Sequence, residues 1–405
     1  MNVLMLAPGY PWEMPLFARG LARVGAKVFG VGDMPEAALP REARESLSVY
    51  LHLPSLWDEA QVIEAVRRHP ASRWVEQVEC LWEPGMLLAA RLREALGVPG
   101  MTVAQTLPFR DKEKMKQALD RAGLRTPRHA RATSAAEVLA AAERIGFPLI
   151  VKPIAGAGSK DTHRAGSLAE LERVLALVRH VAEVSVEEYI EGEEYTFDTI
   201  CAGGQILYFN MAWYRPRPLF QRTVEWISPQ TVTLRDVGAP ELATGRALGL
   251  GVLEALGFST GFTHMEWFLK PDGEAVFGEI GARPPGARST ELMNYGCDID
   301  VYTGWAEAVC HGRFSQPIVR RYNSAVIFKR AQGRGRIQRI EGLERLLSRF
   351  GDYIVSVDLL PIGSPRRDWI QTLLSDGHVI LRHPHLPTCL EMADQVGVEL
   401  QLYAQ

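Results

Sequence analysis

The stretch GFTHMEWFLKPDGEAVFGEIGARPPGARSTE, residues 261–291, decides the fold that we predict for this chain. It has the pattern of a β-strand, a Pro-Asp-Gly turn at 271–273, a second strand and a loop rich in glycine and proline. His264 and Glu266 are two residues apart, so both project from one face of the first strand. Because a tight hairpin places its strands side by side, we expect Glu279 of the second strand to lie near them.

The two carboxylates of this hairpin leave two interpretations open. They stand among aromatic and branched apolar residues, where a charged carboxylate is unfavourable unless a cation meets it. A Mg²⁺ ion held by Glu266 and Glu279 and completed by phosphate oxygens would be such a cation. Alternatively, the hairpin lies at the surface and its acids pair with Arg283 and Arg288 of the same stretch.

Composition places the chain among ordinary soluble proteins. Its 405 residues exceed what one hydrophobic core usually supports, so we expect roughly two to four structural units. A net charge of −3 shows no basic excess, which argues against nucleic acid as the main partner. No apolar run approaches ~20 residues, so we expect no membrane span. The five cysteines are scattered without a CxxC pair, which favours a reducing, cytoplasmic location.

The N-terminal part has the pattern of a Rossmann-like α/β domain. An apolar run at 3–7 is followed by a helical pattern at 17–24 and a second strand at 27–31. The first residues lack a basic segment and a long apolar core, so we interpret them as a strand and not as a signal peptide. No GxGxxG follows this strand, and a dinucleotide site there is unsupported.

A lysine-rich helix is predicted at 111–123, DKEKMKQALDRAG. Its first turns carry Lys112, Lys114 and Lys116. Cations at this end oppose the helix dipole, so an anionic partner would explain at least one of them. For Lys114 and Lys116 we expect exposure to solvent.

A buried strand and a glycine-rich loop follow in FPLIVKPIAGAGSK, residues 147–160. The strand ends at Lys152, and a buried lysine requires an anion. Gly156, Gly158 and Ser159 would let backbone N–H groups approach phosphate oxygens, although the loop matches neither a Walker A motif nor GxGxxG. Taken alone, the loop is more typical of an ordinary connection.

Two further segments carry clusters of charge. The first, 184–200, is a strand, a turn and a strand, with acids that a solvated hairpin would also explain: Glu187, Glu188, Glu193 and Glu194. The second, 211–226, is interpreted as a long loop or hairpin. Its arginines suit a carboxylate-bearing substrate or a solvated loop, and they are Arg215, Arg217 and Arg222.

Taken in order, these segments resemble the ATP-grasp superfamily over residues 106–312. The shared elements are Asp-Lys opening a helix, a strand ending in Lys-Pro before a glycine-rich loop, Glu-Glu-Tyr-Ile with a later Glu, and two carboxylates ending in Glu-Ile-x-x-Arg. The resemblance implies an α/β fold (α+β ATP-grasp) made of a Rossmann-like N-terminal domain, a two-part ATP-grasp module and a C-terminal lid-like subdomain. The corresponding ranges are 1–105, 106–190 with 191–312, and 313–405.

The resemblance also implies a nucleotide site. The groups that would contact the ATP phosphates are Lys112, Lys152 and the flap residues Gly156, Gly158 and Ser159. Glu187 would accept a hydrogen bond from the adenine amino group, and the backbone of Glu188 and Ile190 would bind the edge of the base. Glu194 would bind the ribose hydroxyls.

For the metal and the reaction, the resemblance implies that Glu266 and Glu279 ligate Mg²⁺ (or Mn²⁺) and that Arg283 faces the transferred phosphoryl group together with Lys152. One position departs from the family pattern. D-alanine–D-alanine ligase and biotin carboxylase have an asparagine two residues after the second metal carboxylate, where this chain has Gly281. Coordination of a second magnesium is therefore an open question.

The implied activity is that of an ATP-dependent carboxylate–amine ligase, which forms an amide or peptide bond through an acylphosphate and releases ADP and phosphate. Its partners would be small-molecule carboxylates and amines, and by analogy it would be a homodimer. The candidate substrate contacts are His264, Arg288, Arg215 and Arg222, with a simply satisfied strand histidine as the alternative for His264. The open alternatives are a purine-pathway-like or biotin-carboxylase-like enzyme and an ATP-binding protein without catalytic activity.

Overall fold

The computed structural model describes residues 1–155, 161–370, 372 and 375–405. They form an N-terminal α/β unit, a small antiparallel sheet backed by helices, and a large sheet that runs through the remainder of the chain. This mixed architecture confirms the fold class predicted from the sequence. In the described ranges, none of the helices has the length and apolar character that crossing a membrane requires.

The N-terminal unit is built on a parallel sheet with strands in the order β3-β2-β1-β4. Its elements are β1 (Asn2–Leu6), α1 (Met14–Arg23), β2 (Lys27–Gly32), α2 (Arg41–Ser46), β3 (Val49–His52), α3 (Glu59–Arg68), β4 (Gln77–Glu79) and α4 (Met86–Leu96). Alternate residues of β1 enter different cores. Val3 and Met5 pack with α1, whereas Leu4 and Leu6 pack with α3 and α4. Both faces are thus covered, as a parallel sheet requires.

The small unit holds an antiparallel sheet in the order β5-β8-β6-β7. Its elements are α5 (Val103–Thr106), α6 (Lys112–Arg121), β5 (His129–Ala132), α7 (Ala135–Ile145), β6 (Leu149–Pro153), β7 (His163–Ala165), α8 (Leu168–Val178) and β8 (Val184–Glu188). Helices α7 and α8 cover one face, where they pack on Val151 and Val186. Lys152 and Glu187 alternate with these residues and project from the opposite face.

The next part of the chain supplies the strands that carry the predicted metal ligands. Its elements are β9 (Glu193–Ala202), β10 (Gln205–Arg215), α9 (Pro218–Gln221), β11 (Gln230–Thr233), α10 (Ala243–Ala255), β12 (Gly261–Leu269), β13 (Ala275–Gly281), α11 (Ser289–Cys297) and α12 (Val301–His311). The segment 211–226, predicted as a long loop or hairpin, is the end of β10 and the first part of the connection to β11, which includes the short helix α9. The hairpin alternative fits, because β10 pairs antiparallel with β11.

The C-terminal part contributes strands to two sheets, the large sheet and a separate small one. Its elements are β14 (Asn323–Phe328), β15 (Gln332–Gly333), β16 (Ile337–Glu341), α13 (Leu343–Phe350), β17 (Ile354–Leu359), β18 (Gly377–His383), α14 (Leu386–Glu399) and β19 (Gln401–Ala404). The large sheet has the order β13-β12-β9-β10-β11-β14-β18-β17, so it continues across the predicted boundary at residue 312, while β15, β19 and β16 pair separately. The domain boundaries themselves remain predictions.

Candidate active site

A cleft with about 1060 Å³ of empty space, part of it open to solvent, lies between the inner face of the small sheet and the β12–β13 end of the large sheet. Ten of the predicted site residues line it although they come from separate segments: Lys112, Lys152, Glu187, Glu188, Ile190, Glu194, His264, Glu266, Glu279 and Arg283. The predicted flap residues Gly156, Gly158 and Ser159 lie outside the residues that the structure describes.

The hairpin β12–β13 brings the two carboxylates together as its pattern predicts. Glu266 and Glu279 are direct partners in the antiparallel register, and residues in such pairs have adjacent side chains. Met265 and Trp267 alternate with Glu266 and enter the apolar core with α10, so strand periodicity turns the carboxylate to the cleft. The interpretation of a surface hairpin is therefore not supported.

Glu279 makes an ion pair with Lys112 of α6. The Lys112 Nζ lies 2.9 Å from the Glu279 Oε1. Lys112 is almost fully buried, whereas Glu279 is partly accessible from the cleft. This contact links helix α6 of the small unit to the hairpin of the large sheet that carries the predicted metal ligands.

A series of buried polar contacts runs from Glu266 through His264 to Asp198. His264 Nδ1 lies 2.6 Å from the Asp198 Oδ1 of the neighbouring strand, and its Nε2 lies 3.5 Å from the Glu266 Oε1. Asp198 in turn accepts hydrogen bonds from Thr196 Oγ1 at 2.9 Å and Asn210 Nδ2 at 3.1 Å. Burial alone would lower the pKa of His264, but the Asp198 carboxylate raises it to about 9. The histidine is thus held as an imidazolium that donates toward Glu266.

Arg283 is anchored by the N-terminal unit. Its Nε donates to the Glu83 Oε2 at 2.7 Å, and Glu83 also pairs with Arg110. Glu83 follows β4 at the carboxyl edge of the parallel sheet. Burial opposes ionisation of Glu83, yet the arginines lower its pKa. The sequence analysis missed Glu83, although an acid just after a parallel strand stands at the edge where ligands bind in such sheets.

The prediction that Lys116 is exposed was wrong. Lys116 is fully buried, and its Nζ lies 2.8 Å from the Glu187 Oε1. Its position four residues after Lys112 puts both lysines on one face of α6, which was the available signal. Lys114, between them, is exposed as expected.

The arginines of the segment 211–226 occupy different environments. Arg217 lines the cleft, where its Nη1 donates to the Ile190 carbonyl at 2.9 Å. Arg215 instead pairs with Asp394 at 3.2 Å, and Arg222 donates to the carbonyl of Ile370 at 2.9 Å. The structure therefore places Arg215 and Arg222 outside the described cleft lining and brings in Arg217, which the sequence analysis did not select.

Arg288 also lies beyond the described lining of the cleft. Its guanidinium lies 3.8 Å from the centre of the Trp12 ring. It forms ion pairs with Glu291 at 3.3 Å and with Asp358 at 3.1 Å. These two carboxylates balance the positive charge of Arg288.

Together, the fold and this site define a class of protein. Lysines on a small antiparallel sheet face paired carboxylates on a large one across a single cleft. A family model described as "ATP-grasp domain" matches residues 109–214. Over this segment the chain is similar to the ATP-grasp domain.

Among known proteins, the chain is similar to amino-acid ligases. The L-arginine-specific L-amino acid ligase of Bacillus subtilis is 26% identical over 227 residues, which cover 54% of each chain. A D-alanine–D-alanine ligase of Ectopseudomonas mendocina is 40% identical over 116 residues, which cover 26% of this chain and 34% of that protein. The chain thus spans about half the length of the first relative and about a third of the second.

The likeness in three dimensions extends further than the likeness in sequence. The crystal structure of an L-amino acid ligase from Bacillus licheniformis matches with a TM-score of 0.81 at 22% identity, over 100% of this chain and 98% of that one. At this identity the match establishes the fold, including the N-terminal and C-terminal parts that lie outside the family model.

Proposed function

We propose that this protein is an ATP-dependent carboxylate–amine ligase that joins two small molecules through an amide or peptide bond and releases ADP and phosphate. The observation that carries the proposal is the composition of one cleft. Lys112 and Lys152 line it opposite the cross-strand pair Glu266 and Glu279, and Arg283 lies beside that pair. Phosphoryl transfer is catalysed mainly by positioning and by neutralising charge, and these groups supply both.

ATP would lie with its base toward the small sheet and its phosphates toward the hairpin β12–β13. Lys112 and Lys152 would contact the phosphates, the backbone at 188–190 would bind the adenine edge, and Glu194 would bind the ribose. Glu194 is buried, and burial together with the nearby Glu266 raises its pKa to about 8. A hydroxyl group that donates to this carboxylate would favour its charged form.

Arg217 supports the adenine-binding backbone. Its guanidinium lies 5.0 Å from the Tyr189 ring and 4.8 Å from the Phe268 ring, and its Nε lies 3.5 Å from the Glu194 Oε2. With its hydrogen bond to the carbonyl of Ile190, it joins the segment that binds the base to the residue at the ribose. We infer that Arg217 holds this segment in place for the nucleotide.

Arg217→Ala is expected to raise the Kd for ATP by roughly tenfold, because a cation between two rings and a charge-assisted hydrogen bond are lost. Calorimetric titration with ATP measures this. Arg215→Ala is the matched control. Arg215 lies two residues before Arg217 in the chain, and its ion pair with Asp394 is partly exposed. Equal Kd values for the two variants would contradict the role of Arg217.

The residues present fit a hard divalent cation. Glu266 and Glu279 offer carboxylate oxygens, which Mg²⁺ prefers. Among the residues that the structure describes, no group of three or more His, Cys, Asp or Glu could hold a metal ion, so these two carboxylates would need further ligands from outside the protein. Phosphate oxygens and water would complete its coordination. When bound, Mg²⁺ neutralises charge on the phosphates.

At the position of Gly281, the family pattern of D-alanine–D-alanine ligase and biotin carboxylase has asparagine. A Cβ atom at this position would lie 3.2 Å from the Cγ of Arg283. A larger residue would therefore require the side chain of Arg283 to shift. We infer that the glycine lets Arg283 reach Glu83, so that the metal site is formed by Glu266 and Glu279 without a ligand from position 281.

Asp198→Asn is expected to raise the Mg²⁺ or Mn²⁺ concentration needed for half-maximal activity by about 10- to 100-fold, because His264 would lose the carboxylate that orients it toward Glu266. Metal titration at saturating ATP measures this. Thr263→Val is the control. It removes the 2.6 Å hydrogen bond to Thr199 at the next position of the same strand pair. A similar shift in both variants would mean that only the sheet was disturbed.

The proposed reaction has two steps. The substrate carboxylate attacks the γ-phosphate of ATP, and Arg283, Lys112 and Lys152 offset the charge that develops on the transferred group. An amine then attacks the acylphosphate, and phosphate leaves. The N-terminal unit contributes through Glu83, which holds Arg283 at the cleft.

The test is phosphate release from ATP and Mg²⁺ with a panel of amino acids and other small carboxylates, with and without amine acceptors, followed by mass spectrometry. We expect release to require a carboxylate and to give a product with the mass of the condensed pair. A purine-pathway-like activity would instead require a ribotide amine. Nucleotide binding without turnover on any pair would support the non-catalytic alternative. The homodimer and the cytoplasmic location stay predictions.

A further inference from the structure

Lys116 and Glu187 form an ion pair beneath the cleft. Lys116 is fully buried and Glu187 is 4% exposed. The Lys116 Nζ lies 2.8 Å from the Glu187 Oε1 and 3.5 Å from the carbonyl oxygen of Lys112. Burial lowers the pKa of Lys116, and the carboxylate opposes this shift. A buried ammonium is tolerated only when such a partner compensates for lost hydration.

Glu187 is shared between two lysines. Its Oε2 lies 2.9 Å from the Lys152 Nζ, and its Oε1 also accepts from the Ser185 Oγ at 2.8 Å. Burial opposes the ionisation of Glu187, yet the two ammonium groups hold its pKa well below its usual range. The cluster therefore combines two positive charges with one negative charge.

The two lysines differ in access. Lys152 is among the described residues that line the cleft, whereas Lys116 is sealed between α6 and β8. If Lys152 turns to a phosphate oxygen, as the proposed function requires, Glu187 retains Lys116 and Ser185. A carboxylate can accept several hydrogen bonds, so its orientation toward the cleft is kept.

We propose that Lys116 is a specificity-determining positioning residue: it is the permanent counter-ion that keeps Glu187 an oriented acceptor for the amino group of adenine, so that ATP binds in preference to GTP. This rests on the proposed function, which takes ATP as the nucleotide. Adenine presents an amino donor where guanine presents a carbonyl acceptor. An ionised Glu187 accepts a hydrogen bond from the adenine amino group and repels the guanine carbonyl oxygen. The preference for ATP over GTP depends on both effects.

Removal of Lys116 has a specific consequence. Glu187 would keep Lys152 as its only ammonium partner among the residues described, so Lys152 would be held away from the phosphates or Glu187 would take up a proton. A protonated Glu187 donates, and donation suits the guanine carbonyl. The second outcome weakens ATP relative to GTP, whereas the first, like a purely structural role of Lys116, would weaken both nucleotides alike.

The experiment measures Kd values for ATP and GTP with Mg²⁺ by calorimetry in the wild type, Lys116→Met and Lys114→Met. Lys114 is the matched control because it lies on the same helix and is exposed. We expect the GTP-to-ATP ratio of Kd values to fall about tenfold or more in Lys116→Met, the effect of one charge-assisted hydrogen bond, and to stay unchanged in Lys114→Met.

A second variant, Lys116→Gln, keeps the test decisive if Lys116→Met does not fold, because its amide can still donate a hydrogen bond to Glu187 while the positive charge is removed. It is expected to lose discrimination as well. An unchanged ratio in the folded variant would overturn the role of Lys116, and so would an equal change in Lys114→Met. A wild type that binds neither nucleotide would overturn the proposed function itself, which separates the two failures.

Discussion

Glu279→Ala is expected to leave a folded protein that no longer turns over ATP. Glu279 lies opposite Glu266 in the hairpin register and is partly accessible from the cleft, so its loss would remove one of the two proposed metal ligands. We expect ATP-dependent phosphate release to fall by more than about 100-fold, since charge on the transferred group would no longer be offset in place.

The fold should survive this substitution. Glu279 is not in the apolar core, and its contact with Lys112 joins a buried lysine to a partly exposed carboxylate. Circular dichroism and the melting temperature test this. Asp272→Ala is the control, because Asp272 lies at the exposed turn of the same hairpin. Turnover retained in Glu279→Ala would remove this residue from the proposed metal site.

Arg283→Ala is expected to lower kcat by roughly 10²- to 10³-fold while the Kd for ATP changes little, because the guanidinium would act on charge that develops during transfer. Its place supports this role. Arg283 lines the cleft beside Glu266 and Glu279, and its ion pair with Glu83 orients the guanidinium. Steady-state kinetics and calorimetric titration with ATP separate the two effects.

Arg110→Ala provides the control for Arg283. Arg110 pairs with the same carboxylate, Glu83, but is not among the described residues that line the cleft. Both variants remove one arginine from Glu83 and should destabilise the protein to a similar degree. An effect of Arg283→Ala confined to ATP affinity, or one that Arg110→Ala reproduces, would contradict a role in phosphoryl transfer.

The residues of the cleft show which predictions a sequence can support. Glu266 and Glu279 could be paired because a hairpin is local and its side chains alternate with a period of two. Lys152 could be selected because a lysine inside an apolar strand needs an anion. In each case the decisive neighbours lie within a few positions of the residue along the chain.

Other residues of the site were missed for the opposite reason. Glu83 meets Arg283 across 200 positions of sequence, and Asp198 meets His264 across 66. Lys116 shares a face of α6 with Lys112, but that spacing alone does not show that it is buried or that its partner is Glu187. Nothing in a helical or strand period indicates which distant partner a charge will find.

The arginines of 211–226 also show that local periodicity does not identify the partners of a charged side chain. Strand β10 ends at Arg215 and helix α9 begins at Pro218, so the period of two no longer applies at Arg217. The direction of the Arg217 side chain depends on the connection between these two elements. In the structure its guanidinium packs against the rings of Tyr189 and Phe268.

By itself, the sequence determined the class of fold and the types of side chain that line the cleft, which follow from periodicity and motif order. The proposed roles, lysines for phosphate, carboxylates for a metal and an arginine for transfer, are implied by the family resemblance and stay predictions. Only the tertiary structure decided that Lys116 is buried beneath Glu187, that the N-terminal unit holds Arg283 through Glu83, and that Arg217 enters the cleft instead of Arg215 and Arg222. Burial and ion pairing are properties of packed surfaces, and those surfaces exist only after the units have come together.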